Sequence, residues 1–174
     1  TEWIVSELKK DKKSDGTYSD RVYGSIFFDD PNSQMYNLET EEMVSFDEFK
    51  ALGGTRPFFK KFSYAVDRQN YIGTNIHLMR YADVLLMYAE ALNETGQTPL
   101  AIDQVNVVRE RSHAANLPLT MSQTDLRTQI RHHERPAELS MELGIRWFDL
   151  YRWNKGTTAK ESIKATLTAH NKPF

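Results

Sequence analysis

Apolar side chains recur most regularly between Asn75 and Arg111. Tyr81, Val84, Leu85, Tyr88 and Leu92 fall three and four apart, while Asp83, Glu90, Asn93 and Glu94 take the positions turned away, the pattern of an amphipathic helix. Gly96 supplies a residue free to take a positive φ, and Thr98-Pro99 offers an N-cap hydroxyl followed by a proline at the first helical position. A second helix therefore starts at Pro99. Its Leu100, Ala101, Val105 and Val108 face one way, with Asp103, Gln104, Asn106 and Arg109 spread around the rest. A short connection between matched stripes predicts an antiparallel helical hairpin.

The flanking stretches are less periodic. Trp3 to Leu8 is β-rich and runs into the charged stretch Lys9 to Gly16, which reads as a strand, with Trp3 as a core anchor, leading into an exposed loop. A short helix after an Asp20 N-cap would carry Tyr23, Ile26 and Phe27 on one face. Asp29 to Gln34 is turn chemistry, and Met35 to Gly54 reads mostly as loop. Phe58 to Tyr64 predicts a second strand, paired with the first.

After a connector from Ser112 to Met121, a helix resumes near Gln123 with Leu126 and Ile130 inward. At Pro136 a lost hydrogen bond and a clash one turn back, together about 3 kcal/mol, predict a kink or a fresh helix. Leu139, Leu143, Trp147, Leu150 and Tyr151 then mark a last helix ending before Gly156, with Trp147, Phe148 and Leu150 supporting the core and Arg146 and Asp149 pairing or capping across helices. The chain is thus expected to be mainly α and one domain over 1–174. A loop-rich segment with two short strands spans 1–74, a helical core 75–156, and an exposed tail 157–174.

Composition narrows the function. The 174 residues carry 24 acidic and 22 basic side chains, a formal net charge of −2, and no long run of one sign, so nothing attracts nucleic acid or anionic lipid strongly. Zero cysteines exclude disulfides, thiolate metal sites and a cysteine nucleophile. No apolar run reaches membrane-spanning length. The chain opens on Thr1 without an initiator methionine or a signal-like segment, so a targeting segment is expected to have been removed or to lie outside this piece.

His132-His133-Glu134 beside Glu138 raises a zinc-assisted hydrolase, but the second histidine of a His-Glu-x-x-His helix is missing. Glu134, Glu138 and Glu142 repeat every four residues, with Arg131, Arg135 and Arg146 nearby, which reads as an ion-pair ladder rather than a general acid and base. No phosphate loop or nucleophile elbow can be assembled. Neither a cofactor nor a resident metal is expected. Aromatic side chains do gather in the first segment, at Tyr18, Tyr23, Tyr36, Tyr64 and Tyr71. Sugar faces pack on aromatic rings while amides bond the hydroxyls. Tyr18 and the cluster Asn32, Gln34, Tyr36 and Asn37 are therefore the candidate ligand-binding residues.

The run from Arg80 to Glu94, with Tyr81 and Glu90, followed by Asn106 and Arg109, resembles the helical signature of the SusD/RagB family. A second stretch, Glu134-Arg135, Glu138-Leu139, then Arg146-Trp147-Phe148-Asp149-Leu150 with Arg152-Trp153, is similar to its later motif. Pro136 stands where that family usually has arginine, and Leu143 separates Glu142 from Gly144. An extra residue on a helix rotates what precedes it by about 100°. The resemblance covers the second half strongly, and the first half only through Asp20 to Tyr23 and Lys61-Phe62.

It implies the C-terminal portion of a non-catalytic cell-surface subunit that captures oligosaccharide or another nutrient and passes it to a TonB-dependent outer-membrane transporter. Membrane association would come through an N-terminal lipid absent from this chain. The residues alone also allow a helical-repeat interaction scaffold, since Ala89, Leu92, Gly96 and Ala101 fall in a tetratricopeptide-like arrangement.

Overall fold

The computed structural model describes residues 2–37, 39–61, 77–156 and 159–170. It divides into two compact units, one formed by residues 1–21 and 78–174 and the other by residues 22–77.

The first unit is helical. Its centre is the hairpin of α4 (Tyr81–Glu94) and α5 (Thr98–Arg111), turned at Gly96 with φ of 81°. Leu86, Ala89, Ala101, Ile102 and Val105 are fully buried between the two, with Leu126, Ile130 and Leu139 completing the core. Each such aliphatic side chain contributes about 1.5–3 kcal/mol. The buried side of α4 differs from the predicted one. Ala82, Asp83, Leu85, Leu86, Ala89, Glu90, Leu92 and Asn93 turn inward, while Tyr81, Val84 and Tyr88 face out. On α5, Leu100 is likewise exposed, whereas Asn106 and Arg109 are buried. Period alone marks a helix, but partners for polar groups decide which face is covered.

α1 (Glu2–Leu8) is a helix rather than the predicted strand. Ile4 and Leu8, four apart, are both buried, and the Ser6 hydroxyl donates back to the Glu2 carbonyl at 2.9 Å, so spacing outweighs β propensity. α6 (Gln123–Gln129) is capped by Ser122, whose hydroxyl accepts the Asp125 N–H at 3.1 Å. It leads into a π-helical turn, Ile130–Glu134, and α7 (Arg135–Leu139). The Arg135 N–H reaches the Ile130 carbonyl, a widened turn directly before Pro136, so the proline ring is accommodated without ending the helix.

The expected continuous last helix is broken. Met141, Leu143 and Gly144 take left-handed φ of 65°, 34° and 73°, so the extra residue is absorbed in a turn. α8 (Ile145–Lys155) follows, with Gly156 at its C-cap. The stretch read as a tail contains α9 (Ile163–His170), which has no buried residue. Its His170 stacks on Trp3 with ring centroids 3.6 Å apart. No helix among the described residues is long and apolar enough to cross a membrane.

In the second unit, α2 (Asp20–Ser25, its first two residues belonging to the helical unit) runs into β1 (Ile26–Phe27), which pairs antiparallel with β4 (Phe58–Phe59) rather than with the Trp3 segment. The strand expected beyond Phe59, including Phe62 and Tyr64, lies outside the described residues. Between β1 and β4, where loop was expected, β2 (Gln34–Asn37) and β3 (Glu42–Ser45) form a hairpin, followed by α3 (Phe46–Ala51). Ser45 and Glu48 close a capping box at the start of α3. The rings of Phe27, Phe46, Phe49 and Phe58 meet with centroids 5.1–5.6 Å apart and form this unit's core.

Candidate functional site

The predicted ligand residues fall in different settings. On the β2–β3 hairpin Gln34 faces Ser45 and Tyr36 faces Met43 across the pair. Alternation places Gln34 and Tyr36 on one face, with Met35 and Asn37 on the other. Gln34 and Tyr36 are the exposed side, Tyr36 at 41%. Asn37 is half-buried, and its side-chain carbonyl accepts the Glu39 N–H at 2.9 Å.

Asn32 is exposed in the preceding turn, its N–H donating at 2.9 Å to Asp30 Oδ1, which also receives the Tyr23 hydroxyl at 3.0 Å. Lys60 Nζ donates to the Gln34 carbonyl at 2.6 Å. The hairpin thus offers a ring and an amide side by side on a face anchored by turn hydrogen bonds. Tyr18 belongs to the helical unit, where Lys12 Nζ sits 3.1 Å from its ring centroid, so one face of that ring is taken. Tyr64 and Tyr71 lie outside the described residues.

The helical unit holds the titratable groups. Glu134 is fully buried, accepting Arg109 Nη1 at 2.5 Å, Arg21 Nη2 at 2.9 Å and Gln129 Nε2 at 2.8 Å. Burial would push this carboxyl up, but the two guanidinium groups outweigh it and hold it below the usual range. Asp11 lies among Arg21, Arg109 and His133. There too burial raises the carboxyl, and the His133 hydrogen bond and Arg21 charge lower it further than burial raises it.

Both His133 ring nitrogens face carboxylates, Nε2 at 2.8 Å from Asp11 and Nδ1 at 3.2 Å from Glu7. Each carboxylate needs a donor, so the ring carries two N–H groups. Burial lowers the pKa of His133, but its hydrogen bonds to Asp11 and Glu7 and the charge of Glu134 raise it to about 9.

The glutamate ladder is built, with partners other than its neighbours in sequence. Glu138 receives Arg80 and Arg111 at 2.9 and 2.7 Å, and Glu142 receives Arg80 at 2.7 Å. Arg131 instead bonds the Ala159 carbonyl and Glu161, Arg135 spans Asp83 and Asp149, and Arg146 donates to the Arg131 carbonyl at 2.9 Å. Glu7, Asp11 and Arg21 are the members that sequence reasoning missed.

The remaining motif residues tie segments together. Asn106 exchanges two hydrogen bonds with Leu117, and Arg109 Nε donates to the Ala115 carbonyl at 2.6 Å. Glu90 takes the Trp153 indole N–H and Arg152. Trp147 and Phe148, expected in the core, are 54% and 64% exposed, and Leu143 and Tyr151 are exposed with them, whereas Leu150 and Trp153 are buried. Asp149 faces inward to Arg135, and that fixes which side of α8 is covered.

An open cavity of about 400 Å³ lies between the end of α1, α5, α6 and the π turn, lined among others by Glu7, Lys10, Asp11, Asp125, Gln129 and His133. No group of three or more His, Asp or Glu among the described residues is placed to hold a metal. With both nitrogens protonated, His133 offers no lone pair to one.

These features belong to a recognised family. The SusD family model matches residues 7–172, and the chain belongs to that family. It is 47% identical over 92 residues to SusD-like protein P38 of Formosa agariphila, a match covering 47% of this chain and 18% of that protein. To SusD-like protein P2 of the same organism it is 34% identical over 129 residues, covering 68% and 25%.

Among solved structures, a SusD superfamily protein from Bacteroides vulgatus superposes with a TM-score of 0.76 at 24% identity, over 99% of this chain and 35% of that one. A SusD-like protein from Bacteroides fragilis gives 0.62 at 24% identity, over 87% and 36%. The chain spans a quarter or less of the curated relatives' length and about a third of the solved ones.

Proposed function

We propose that the protein is a non-catalytic nutrient-binding subunit of the outer-membrane surface, which captures an oligosaccharide and passes it to a TonB-dependent transporter. The observation that carries this reading is the family match over residues 7–172. The disposition of charge supports it. Glu134, Glu138 and Asp11 are each held by two or more cations, which fixes them as carboxylates and removes the protonated form that a general acid needs. Their place is architectural, joining α1, α2, α4 and α5 to the π turn and α7.

Ligand contact then falls to the hairpin unit. A pyranose face stacks on Tyr36, and the Gln34 amide, on the same strand face, bonds its hydroxyls, with Asn32 at the turn. Glycan-array screening of the protein as its cells make it, followed by calorimetry with the best oligosaccharide, tests this. Absence of binding across neutral and acidic plant, algal and host glycans would overturn the sugar assignment.

A further inference from the structure

In α4 the usual polarity of a surface helix is inverted. From Tyr81 to Ala91 the outward residues are Tyr81, Val84, Met87, Tyr88 and Ala91, with no charge among them, while Asp83 and Glu90 point inward. α8 repeats this, with Trp147, Phe148 and Tyr151 outward and Asp149 inward. Three ion-pair stations hold the two stretches side by side in the same direction. Arg80 Nε meets Glu142 at 2.9 Å, Arg135 joins Asp83 to Asp149 at 2.8 and 2.7 Å, and Arg152 meets Glu90 at 2.5 Å. On α4, Met87 shares the stripe of Asp83 and Glu90, and on α8 Phe148 adjoins that of Asp149 and Arg152. The apolar residues of both helices therefore flank one seam and make one face. An aromatic patch of that kind on a chain with 26% charged residues marks a packing surface rather than a solvated one.

We propose that this face is an internal surface of a longer SusD-like polypeptide, covered by an apolar helical stripe from the part of the protein outside these 174 residues. The length of the relatives argues for that occupant. The solved structure that superposes on 99% of this chain has only 35% of its own length matched, and the curated relatives have 18% and 25% of theirs matched. A charge-free face also suits an apolar helix better than a polar ligand. Tyr88 and Phe148 sit at its centre and Tyr81 at its rim.

The test uses the protein as its own cells produce it. The photoreactive residue p-benzoylphenylalanine replaces Tyr88 in one variant and Phe148 in another, and Asp103, exposed on α5, in a control. After irradiation the cross-linked peptides are sequenced. Both probes should join a peptide of the same polypeptide from outside residues 1–174, with the product running at the mass of one chain, while the control stays unlinked. Cross-links in a double-mass band to residues 1–174 would assign the face to a second copy. Links to another protein would assign it to a partner, and no link from either probe would leave it to water. Each of these three results overturns the proposal, and none bears on glycan binding.

Discussion

Glu90 of α4 accepts the indole N–H of Trp153 of α8 at 2.7 Å, with both side chains buried. The same carboxylate takes Arg152, and the guanidinium groups of Arg131 and Arg146 lie 5.2 and 5.6 Å from the Trp153 ring. Trp153 is thus a hydrophobic plug whose polar edge is satisfied and whose ring is enclosed by cations.

Trp153→Ala in the 174-residue chain should cost about 3–5 kcal/mol. Trp153→Phe, which leaves the Glu90 oxygen short of a donor, should cost about 1–3 kcal/mol. Trp147→Ala removes a ring that is mostly in water and should cost under about 1 kcal/mol. Urea denaturation of the three variants checks this order. Equal losses for Trp153→Ala and Trp147→Ala would mean that the wrong side of α8 has been taken as buried.

Glu134 holds Arg21 and Arg109 together at the centre of the ion network. Removing its charge while keeping its shape leaves two buried guanidinium groups facing only Asp11 and Glu138, so Glu134→Gln should destabilise by about 3–5 kcal/mol. Asp103→Asn, at an exposed position on α5, should stay within about 0.5 kcal/mol. A Glu134→Gln protein as stable as the control would remove the network from the account of stability.

His133 makes part of that stability depend on pH. Its folded pKa of about 9 lies above the ordinary 6.5, so its contribution is complete below 6.5 and is lost as pH rises through about 9. At about 1.4 kcal/mol per pH unit the rise bounds the effect at about 3 kcal/mol. Asp11 has the opposite sign: its lowered pKa contributes above the ordinary 3.8 and fades as pH falls below it. The stability gap between parent and His133→Gln should therefore be wide at pH 6 and narrow at pH 10. A gap of constant size would mean that the imidazole is neutral throughout.

Much of the helical unit was legible, because the α4–α5 hairpin rests on local signals: a 3.6-residue period, Gly96 and Pro99. The orientation of those helices was not. Tyr81, Val84 and Tyr88 look more apolar than Ala82, Asp83 and Ala89, and only the distant partners Arg135 and Arg152 show why the latter side turns inward. Two signals were present and outvoted. Ile4 and Leu8 carry helical spacing inside a β-rich stretch, and Ser45-x-x-Glu48 spells a capping box inside apparent loop. Arg21 and Asp11 carry no local mark of burial, because what buries them is Glu134, 113 residues away from Arg21. Of the ligand residues, sequence could group Gln34, Tyr36 and Asn37, but their sides follow only from the β2–β3 register.

That register makes the ligand proposal testable within one hairpin. Gln34 and Tyr36 project from the exposed face, while Asn37 projects from the other and holds its own turn through the Glu39 N–H. If a sugar stacks on this hairpin, the two faces must respond differently. An aromatic contact of about 0.5–1.5 kcal/mol corresponds to a loss of up to roughly tenfold in affinity for Tyr36→Ala. One neutral hydrogen bond of similar size predicts a several-fold loss for Gln34→Ala. Asn37→Ala should bind within about twofold of the parent, as should Lys160→Ala, at an exposed position of the helical unit. Calorimetry with the oligosaccharide selected by glycan array measures all four, and circular dichroism confirms that each variant is folded. Tyr36→Ala binding as tightly as Lys160→Ala would remove the sugar from this hairpin. A loss confined to Asn37→Ala would move it to the opposite face.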